Sequence, residues 1–406
     1  MEEMFEQSVN EVASVVGLED EEVALLKDTD KAADELVASE FEKYIARKYN
    51  PEIKEVLEKY KIIGAPISKE YGGRGARQLV ESLVMERLGQ VGLGVITFVD
   101  VHQCLGSLAV QEWGSNDQRK RYLPKAAKGE IIFAYGLTEP EVGSDPASLT
   151  TTYRKENDGY RIRGSKYLIS NGSIATHMIV FARSSDSGQI SSFIVDTKER
   201  GFSVEMRLEE KVGLFTSDTS MVSFEDLFVP KEDMLYMEGK GMSVAYSALL
   251  NGRIGVGSGC LGVMEDCLKN AKERARQRIQ HGKEIGKHQL IQRHIASIAS
   301  SLEACRWLVY RAAIKKDEYD KKRSDIKLRL EADRLSAIAK YMASTLAFES
   351  ADRAMQIFGG FGYSILSPVA KHFLDARVAR IYEGTDEIMQ LKIASLELGK
   401  DFEAYK

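Results

Sequence analysis

The sequence contains few of the residue patterns that mark metal sites and disulfide-linked folds. Its four cysteines lie far apart without C-x-x-C spacing, and its six histidines include no close pair and no H-E-x-x-H motif. No metal site and no disulfide framework are therefore expected. Mostly apolar neighbours surround the cysteines, which indicates small buried residues in a reducing cytoplasm. They are Cys104, Cys260, Cys267 and Cys305.

Long basic faces and long apolar runs are also absent from the sequence. The net charge is −5, and lysines and arginines are scattered among acidic residues, so nucleic acid is not an expected partner. No run of about 18 apolar residues occurs, and the N-terminus MEEMFEQ is acidic. We therefore expect neither a secretion signal nor a membrane span. The 44% apolar and 29% charged content is typical of a globular protein.

Composition changes twice along the 406 residues, a length that favours two or three domains. Residues 1–130 show the apolar spacing of helices, as in LVESLVMERLGQVG. Residues 131–236 contain short β-branched and aromatic runs between turn residues, and residues 237–406 return to long helical patterns. These patterns predict an α+β protein with an N-terminal helical domain, a middle antiparallel β-barrel or sandwich, and a C-terminal helical domain.

Three segments interrupt this regular pattern. The loop YGLTEPEVGSDPAS (135–148) offers hydroxyls and a glycine that could wrap a planar polar ring or a pyrophosphate, although an ordinary surface turn explains it equally well. QIFGGFGY (356–363) follows a helical pattern, so its glycines are not the phosphate loop of a Rossmann fold. In RIYEGTDEIMQ (380–390), one glutamate directly precedes a Gly-Thr turn.

Together with other segments, these motifs resemble those of acyl-CoA dehydrogenases, in the same order and from about residue 55 to residue 400. The matching motifs are LTEPEVGSD, SKYLISNG, SFEDLFVP, RQRIQHGKEIGKHQ, QIFGGFGY and IYEGTDEI. The resemblance implies a C-terminal four-helix bundle and FAD bound between the three domains. It also implies a homotetramer in which a neighbouring subunit supplies part of the flavin site.

The resemblance implies a catalytic role for Glu383, which matches the family's base. The implied reaction forms an enoyl-CoA: the α-proton of an acyl-CoA passes to the base, the β-hydrogen passes as hydride to flavin N5, and the electrons pass to an electron-transfer flavoprotein. Such a base needs a dry cavity that raises its pKa. In other branches the glutamate precedes an arginine of the C-terminal bundle, but here Gly252 precedes Arg253, so Glu383 has no rival.

Substrate and FAD contacts follow from the same motifs. Ser144, Arg253 and Gly384 match substrate contacts, although a structural ion pair explains Arg253 equally well. The expected FAD contacts of the middle domain are Tyr135, Leu137, Thr138, Gly143, Ser144, Leu168 and Ser170, and Leu168 stands where many relatives have a tryptophan. Those of the C-terminal domain are Arg278, Gln280, Gln289, Thr385 and Glu387, with Gln356, Gly359 and Gly360 reaching the FAD of a neighbouring subunit.

Asp100 is the least ordinary residue of the expected acyl pocket. On a helix it would lie on a mostly apolar stripe, where an ionised carboxylate is costly unless it is paired or used. One interpretation is a core aspartate bonded to His102 or to a loop. The other is a second base at the distal carbons of the acyl group, since dehydrogenases that form cyclic dienes are similar in using an extra aspartate.

The substrate is therefore expected to be a short-chain or alicyclic acyl-CoA. Glutaryl-CoA dehydrogenases resemble this chain but carry an arginine where Ile96 stands, so a dicarboxylate is disfavoured. Two alternative functions remain, an acyl-CoA oxidase that uses O₂ and a non-catalytic helical scaffold. The chain length favours the dehydrogenase over the usually longer oxidases.

Overall fold

The computed structural model describes residues 17–402 and residue 404. Its N-terminal part is helical, and apolar residues on these helices form one core with the C-terminal helices. The helices are α1 (Asp20–Ile45), α2 (Glu52–Lys59), α3 (Gln78–Val91), α4 (Leu93–Asp100), α5 (Leu108–Trp113) and α6 (Asn116–Ala126). Ser115 caps α6 by accepting a hydrogen bond from the Gln118 backbone N–H.

The middle of the chain forms one eight-stranded sheet in the order β6-β7-β3-β2-β4-β5-β8, with β1 paired to β4. The strands are β1 (Phe133–Gly136), β2 (Thr152–Glu156), β3 (Gly159–Ser170), β4 (His177–Ser184), β5 (Ile190–Asp196), β6 (Phe202–Arg207), β7 (Thr219–Pro230) and β8 (Met234–Leu235). Most pairs are antiparallel, as the sequence predicts, but β4 runs parallel to both β1 and β2.

The C-terminal part is again helical, and its three long helices pack on one another. They are α7 (Gly241–Gln277), α8 (Gln289–Lys321) and α9 (Ile326–Phe358), followed by α10 (Ala370–Ala379) and α11 (Asp386–Leu398). A short hairpin of β9 (Ile279–Gln280) and β10 (Lys283–Glu284) joins α7 to α8. Helix α3 also packs against α7, so the two helical parts enclose a shared interior.

The stretch Leu93–Trp113 is the one helical stretch of the described residues that is long and apolar enough to cross a membrane. The sequence predicts no membrane span because it contains no uninterrupted apolar run of that length. Polar residues interrupt this stretch, but its average hydropathy is still high. The whole stretch is buried inside the protein, which is the position of a core helix.

Within this stretch, α4 ends at Asp100 and the backbone continues as a π-helix from Val101 to Ser107. The side chain of His102 holds this segment, because its Nδ1 accepts a hydrogen bond from the Phe133 backbone N–H and its Nε2 lies 3.3 Å from the Ala126 carbonyl oxygen. Burial lowers the pKa of His102 to about 4, so the ring is neutral at physiological pH. Single π-helical segments of this kind are frequent at functional sites.

Candidate active site

A cavity of about 1050 Å³ lies where the two helical parts and the sheet meet. Its lining combines the start of the 135–148 loop, the end of β3, one face of α7 and the turn before α11. Asp100 and Glu383 both line it, although 283 residues separate them in the sequence. The middle-domain motifs that resemble a flavin site are thus brought to the same cavity as Glu383.

Glu383 lies on a turn with an unusual backbone. Its φ is 54°, and that of Gly384 is 107°, so two successive residues occupy the left-handed region that favours glycine. Two buried cations donate hydrogen bonds to this turn: Arg253 Nε to the Glu383 carbonyl oxygen at 3.1 Å, and Lys340 Nζ to the Gly384 carbonyl oxygen at 2.6 Å. The turn is therefore fixed from α7 and from α9.

Two glycines of α7 make room for the two carboxyl groups. A Cβ atom on Gly252 would stand 2.4 Å from Glu383 Oε2, and one on Gly255 would stand 2.1 Å from Asp100 Oδ1. Both distances are shorter than van der Waals contact, so any side chain at these positions would displace the carboxyl group. The spacing of three residues places both glycines on the same face of α7.

The two carboxyl groups interact with each other. Burial raises the pKa of Asp100 well above its usual range, and the charge of Glu383 raises it further. Burial also raises the pKa of Glu383, but a hydrogen bond with Asp100 and the charges of Arg253 and Lys340 oppose this rise. Since the cations act on Glu383, the shared proton resides on Asp100 and the negative charge on Glu383.

Of the alternatives that the sequence leaves open for Asp100, a bond to His102 is wrong. His102 turns to the backbone of Ala126 and Phe133, whereas Asp100 faces Glu383 and the Cys104 thiol. The physical reason is the π-helix, which changes the direction of the side chains that follow Asp100. Asp100 Oδ1 and Glu383 Oε2 are buried without a hydrogen-bond partner, and each of these oxygens lies against a glycine of α7.

Every residue proposed from the sequence for the middle-domain FAD contacts lines the cavity, or the loop that borders it. They are Tyr135, Leu137, Thr138, Gly143, Ser144, Leu168 and Ser170. Leu168 is 51% exposed with a φ of 58°, and nothing lies within 4 Å of a Cβ built on Gly143. These residues leave an open apolar and hydroxyl-lined face, which fits the flat ring of a flavin.

The C-terminal residues proposed to contact FAD lie elsewhere on this single chain. Arg278, Gln280, Gln289, Gln356, Gly359 and Gly360 are all exposed, and none of them lines the cavity. Thr385 caps α11 by accepting a hydrogen bond from the Ile388 N–H, and Glu387 is exposed. Nothing lies within 4 Å of a Cβ built on Gly359 or Gly360, so this surface is open to a ligand or a second subunit.

Sequence reasoning missed several residues that shape the site. Lys166 is completely buried, and its Nζ donates hydrogen bonds to the Leu137 carbonyl and to Glu139. Glu139 in turn accepts hydrogen bonds from the Thr150 and Thr151 N–H groups, so this ion pair fixes the loop beside the cavity. The sequence did contain an indication of this ion pair, because both residues belong to the matching motifs. Glu139 lies within LTEP, and Lys166 begins KYLIS.

Models of the three acyl-CoA dehydrogenase domains match this chain in order: the N-terminal domain at residues 19–130, the middle domain at 134–227 and the C-terminal domain at 239–396. The chain belongs to the acyl-CoA dehydrogenase family. It is thus an FAD-dependent oxidoreductase with the three-domain fold of that family. The residues around the cavity fit FAD, as the open face beside Leu168 indicates.

Individual relatives agree with this family. The short-chain specific acyl-CoA dehydrogenase of Clostridium acetobutylicum is 36% identical over 82% of this chain and 86% of its own. The structure of butyryl-CoA dehydrogenase from Megasphaera elsdenii has a TM-score of 0.88 at 35% identity, covering 94% of this chain and 99% of its own. A chain in a solved structure described under the electron transferring flavoprotein of Acidaminococcus fermentans also has a TM-score of 0.88, at 32% identity. The match covers 94% of this chain and 99% of that one.

Proposed function

We propose that this acyl-CoA dehydrogenase acts on a short-chain or alicyclic acyl-CoA, with Glu383 as the base that removes the α-proton. The observation that carries the proposal is the interacting pair of the half-buried Glu383 and the buried Asp100, which both line the cavity. Glu383 holds the negative charge of the pair, so it is ready to accept a proton. Burial raises its pKa, which strengthens it as a base.

Bound FAD would supply the acceptor for the hydride that leaves the β-carbon. The chain's own residues then have three tasks. Arg253 and Lys340 hold the turn that aims Glu383. The apolar lining excludes water, so the carboxylate reacts without a competing solvent shell. Gly384 lets the thioester approach the backbone closely.

The acyl end of the cavity supports a compact substrate. Ile96, Thr97, Val101 and Leu105 line the cavity together with Asp100, so the side chains around this carboxyl group are mostly apolar. A distal carboxylate on the substrate would meet Asp100 and Glu383 without a cation of its own, which argues against a dicarboxylate. A six-membered ring would instead place its far carbons beside Asp100.

Asp100 would act as a second base only in its ionised form. Its raised pKa means that it holds a proton at neutral pH and releases it as the pH rises. A reaction that needs Glu383 alone should therefore begin at lower pH than one that needs both carboxylates. The relative rates of two substrate types across the pH range would separate the two roles.

The cofactor itself provides the first prediction. Purified protein should be yellow and carry FAD in equimolar amount, and Arg278→Ala should lose much of it, because the pyrophosphate would lack a guanidinium partner. FAD content is measured from the visible spectrum after denaturation. Arg276→Ala, which alters another exposed arginine nearby, serves as the control and should keep its FAD. Wild-type protein that cannot be reconstituted with FAD would refute the proposal.

We also propose that Arg278 and the exposed Gln356–Gly360 surface complete the FAD site of a second copy in a homotetramer. These residues lie too far from the cavity of their own chain to line it. The relatives of bacterial origin favour a cytoplasmic enzyme. Sedimentation of the FAD-loaded protein should show four chains, and Arg278→Ala should weaken FAD binding without moving the cavity residues.

The second prediction concerns the acceptor that reoxidises the reduced flavin. We expect the reduced enzyme to react slowly with O₂ and rapidly with an electron-transfer flavoprotein. Stopped-flow reoxidation with each acceptor measures both rates. Hydrogen peroxide formed stoichiometrically at turnover speed would instead favour the acyl-CoA oxidase.

A screen of CoA thioesters, with flavin bleaching as the readout, would test the substrate class. No bleaching by any of them would favour the non-catalytic scaffold.

A further inference from the structure

Lys340 is a buried lysine that the sequence motifs do not single out. It lies on α9 with 0% of its surface exposed, and its Nζ donates a 2.6 Å hydrogen bond to the Gly384 carbonyl oxygen. A completely buried ammonium group is rare unless it is paired or used. Among the residues that the structure describes, the hydrogen-bond acceptor of Lys340 Nζ is this carbonyl of the turn that carries Glu383.

Charged and titratable groups of three elements surround Lys340. Glu383 approaches it from the turn, Asp386 from the start of α11, and Cys260 and Arg253 from α7. Asp386 accepts a 2.6 Å hydrogen bond from Arg380 and is the acidic group that acts most strongly on Lys340. Glu383 is the second acidic group that acts on it, and the charge of Lys340 in turn opposes the rise in the pKa of Glu383.

We propose that Lys340 is a positioning residue for the reaction, holding the Gly384 peptide and balancing the negative charge of Glu383. The inference rests on the proposed role of Glu383 as the base. Arg253 and Lys340 then act as two clamps on successive carbonyls, from α7 and from α9. A turn with two successive residues in the left-handed region persists only where its surroundings hold it, and these two bonds supply that restraint.

The charge on Lys340 should make catalysis depend on pH. Burial lowers the pKa of Lys340 to about 8. Below that pH the ammonium is charged, donates to Gly384 and stabilises the ionised form of Glu383. Above it the charge is lost and the hydrogen bond to Gly384 is no longer charge-assisted, so the turn that aims Glu383 loosens. The rate of flavin reduction should therefore fall on the alkaline side, through the pKa of Lys340.

The test compares Lys340→Met, which removes both charge and donor, with Lys340→Gln, which removes the charge and keeps a donor. With butyryl-CoA we expect flavin reduction to slow roughly 10- to 100-fold in Lys340→Met, the size expected of a charge-assisted hydrogen bond. FAD content and KM should change little. The alkaline fall of the wild-type rate should disappear in both variants, which a merely structural role would not cause.

Lys371→Met is the matched control, since Lys371 is also buried and donates to a backbone carbonyl, that of Val91, outside the cavity. It should keep the wild-type pH profile. The inference would be overturned if the rate of Lys340→Gln still fell at alkaline pH as that of wild type does. It would also be overturned if the wild-type rate showed no alkaline fall. Both outcomes can be measured even if Lys340→Met fails to fold. Glu383→Gln is measured in parallel: if it stays active, the proposed base is wrong, whereas its inactivation beside unaffected Lys340 variants refutes only the role of Lys340.

Discussion

Glu383→Gln should bind acyl-CoA and yet reduce its flavin at least about a thousandfold more slowly, because a positioned base typically contributes that order. The amide keeps the shape of the side chain and its place above Gly252, but it cannot accept the α-proton. Stopped-flow bleaching of the bound flavin measures the chemical step, and titration of the flavin spectrum with acyl-CoA measures binding. The two measurements separate the loss of a base from the loss of a site.

The matched control is Glu40→Gln, since Glu40 is also a buried glutamate whose pKa is raised by burial. It lies outside the cavity and accepts hydrogen bonds from Asn50 and Thr216, and an amide can keep part of this network. We expect its rate of flavin reduction to stay close to that of wild type. A Glu383→Gln rate within tenfold of wild type would show that the base lies elsewhere, as would an equal loss in both variants.

The order of the elements could be predicted from the sequence because it depends on local signals, whereas the role of Glu383 is implied by a family resemblance and stays a proposal. The long helices show apolar spacing at three and four residues, and the strands show short β-branched runs. Glu383 stands in a short motif with a turn that only glycine tolerates at the next position. Nothing in such local patterns shows which distant residues will face each other.

The contacts that shape the site could not be predicted for that reason. Asp100 reaches Glu383 only because α7 lacks side chains at Gly252 and Gly255, and this fit depends on how three helices cross. The bond from Lys340 to Gly384 spans 44 residues and comes from a helix whose pattern is that of a core. The π-helix after Asp100 has no sequence signature comparable to a cap or a turn, so the orientation of His102 was open.

The positions of the C-terminal FAD contacts mark a different limit. Arg278 and Gly359 are exposed here, so their proposed role depends on a second copy of the chain rather than on the fold of one copy. A motif can indicate that such residues share a ligand with the cavity, but only an assembly brings them together. The exposed residues of these motifs therefore predict where the subunits should meet.

Asp100→Asn should lose alicyclic turnover selectively. We expect the rate with cyclohexanecarboxyl-CoA or cyclohex-1-ene-1-carboxyl-CoA to fall by about 100-fold or more, the range of a lost acid–base group, while butyryl-CoA turnover changes little. The reason is position: Asp100 lines the cavity together with Glu383, and on the proposed function the far carbons of a ring would lie beside it. FAD content should stay unchanged. The control is Asp375→Asn, another buried aspartate of raised pKa that lies outside the cavity.

A second variant tests the position of the Asp100 carboxyl group without removing it. In Gly255→Ala the added Cβ would stand 2.1 Å from Asp100 Oδ1, so the carboxyl group must move away from the acyl end. The same selective loss of alicyclic turnover should follow. Gly257→Ala on the same helix is the matched control, since the nearest atom to its Cβ would be Val309 Cγ2 at 3.2 Å, with the Ala339 backbone at 3.7 Å. Equal small effects of Asp100→Asn on all three thioesters would make Asp100 a structural residue, because a second base must distinguish a substrate with a remote proton from one without.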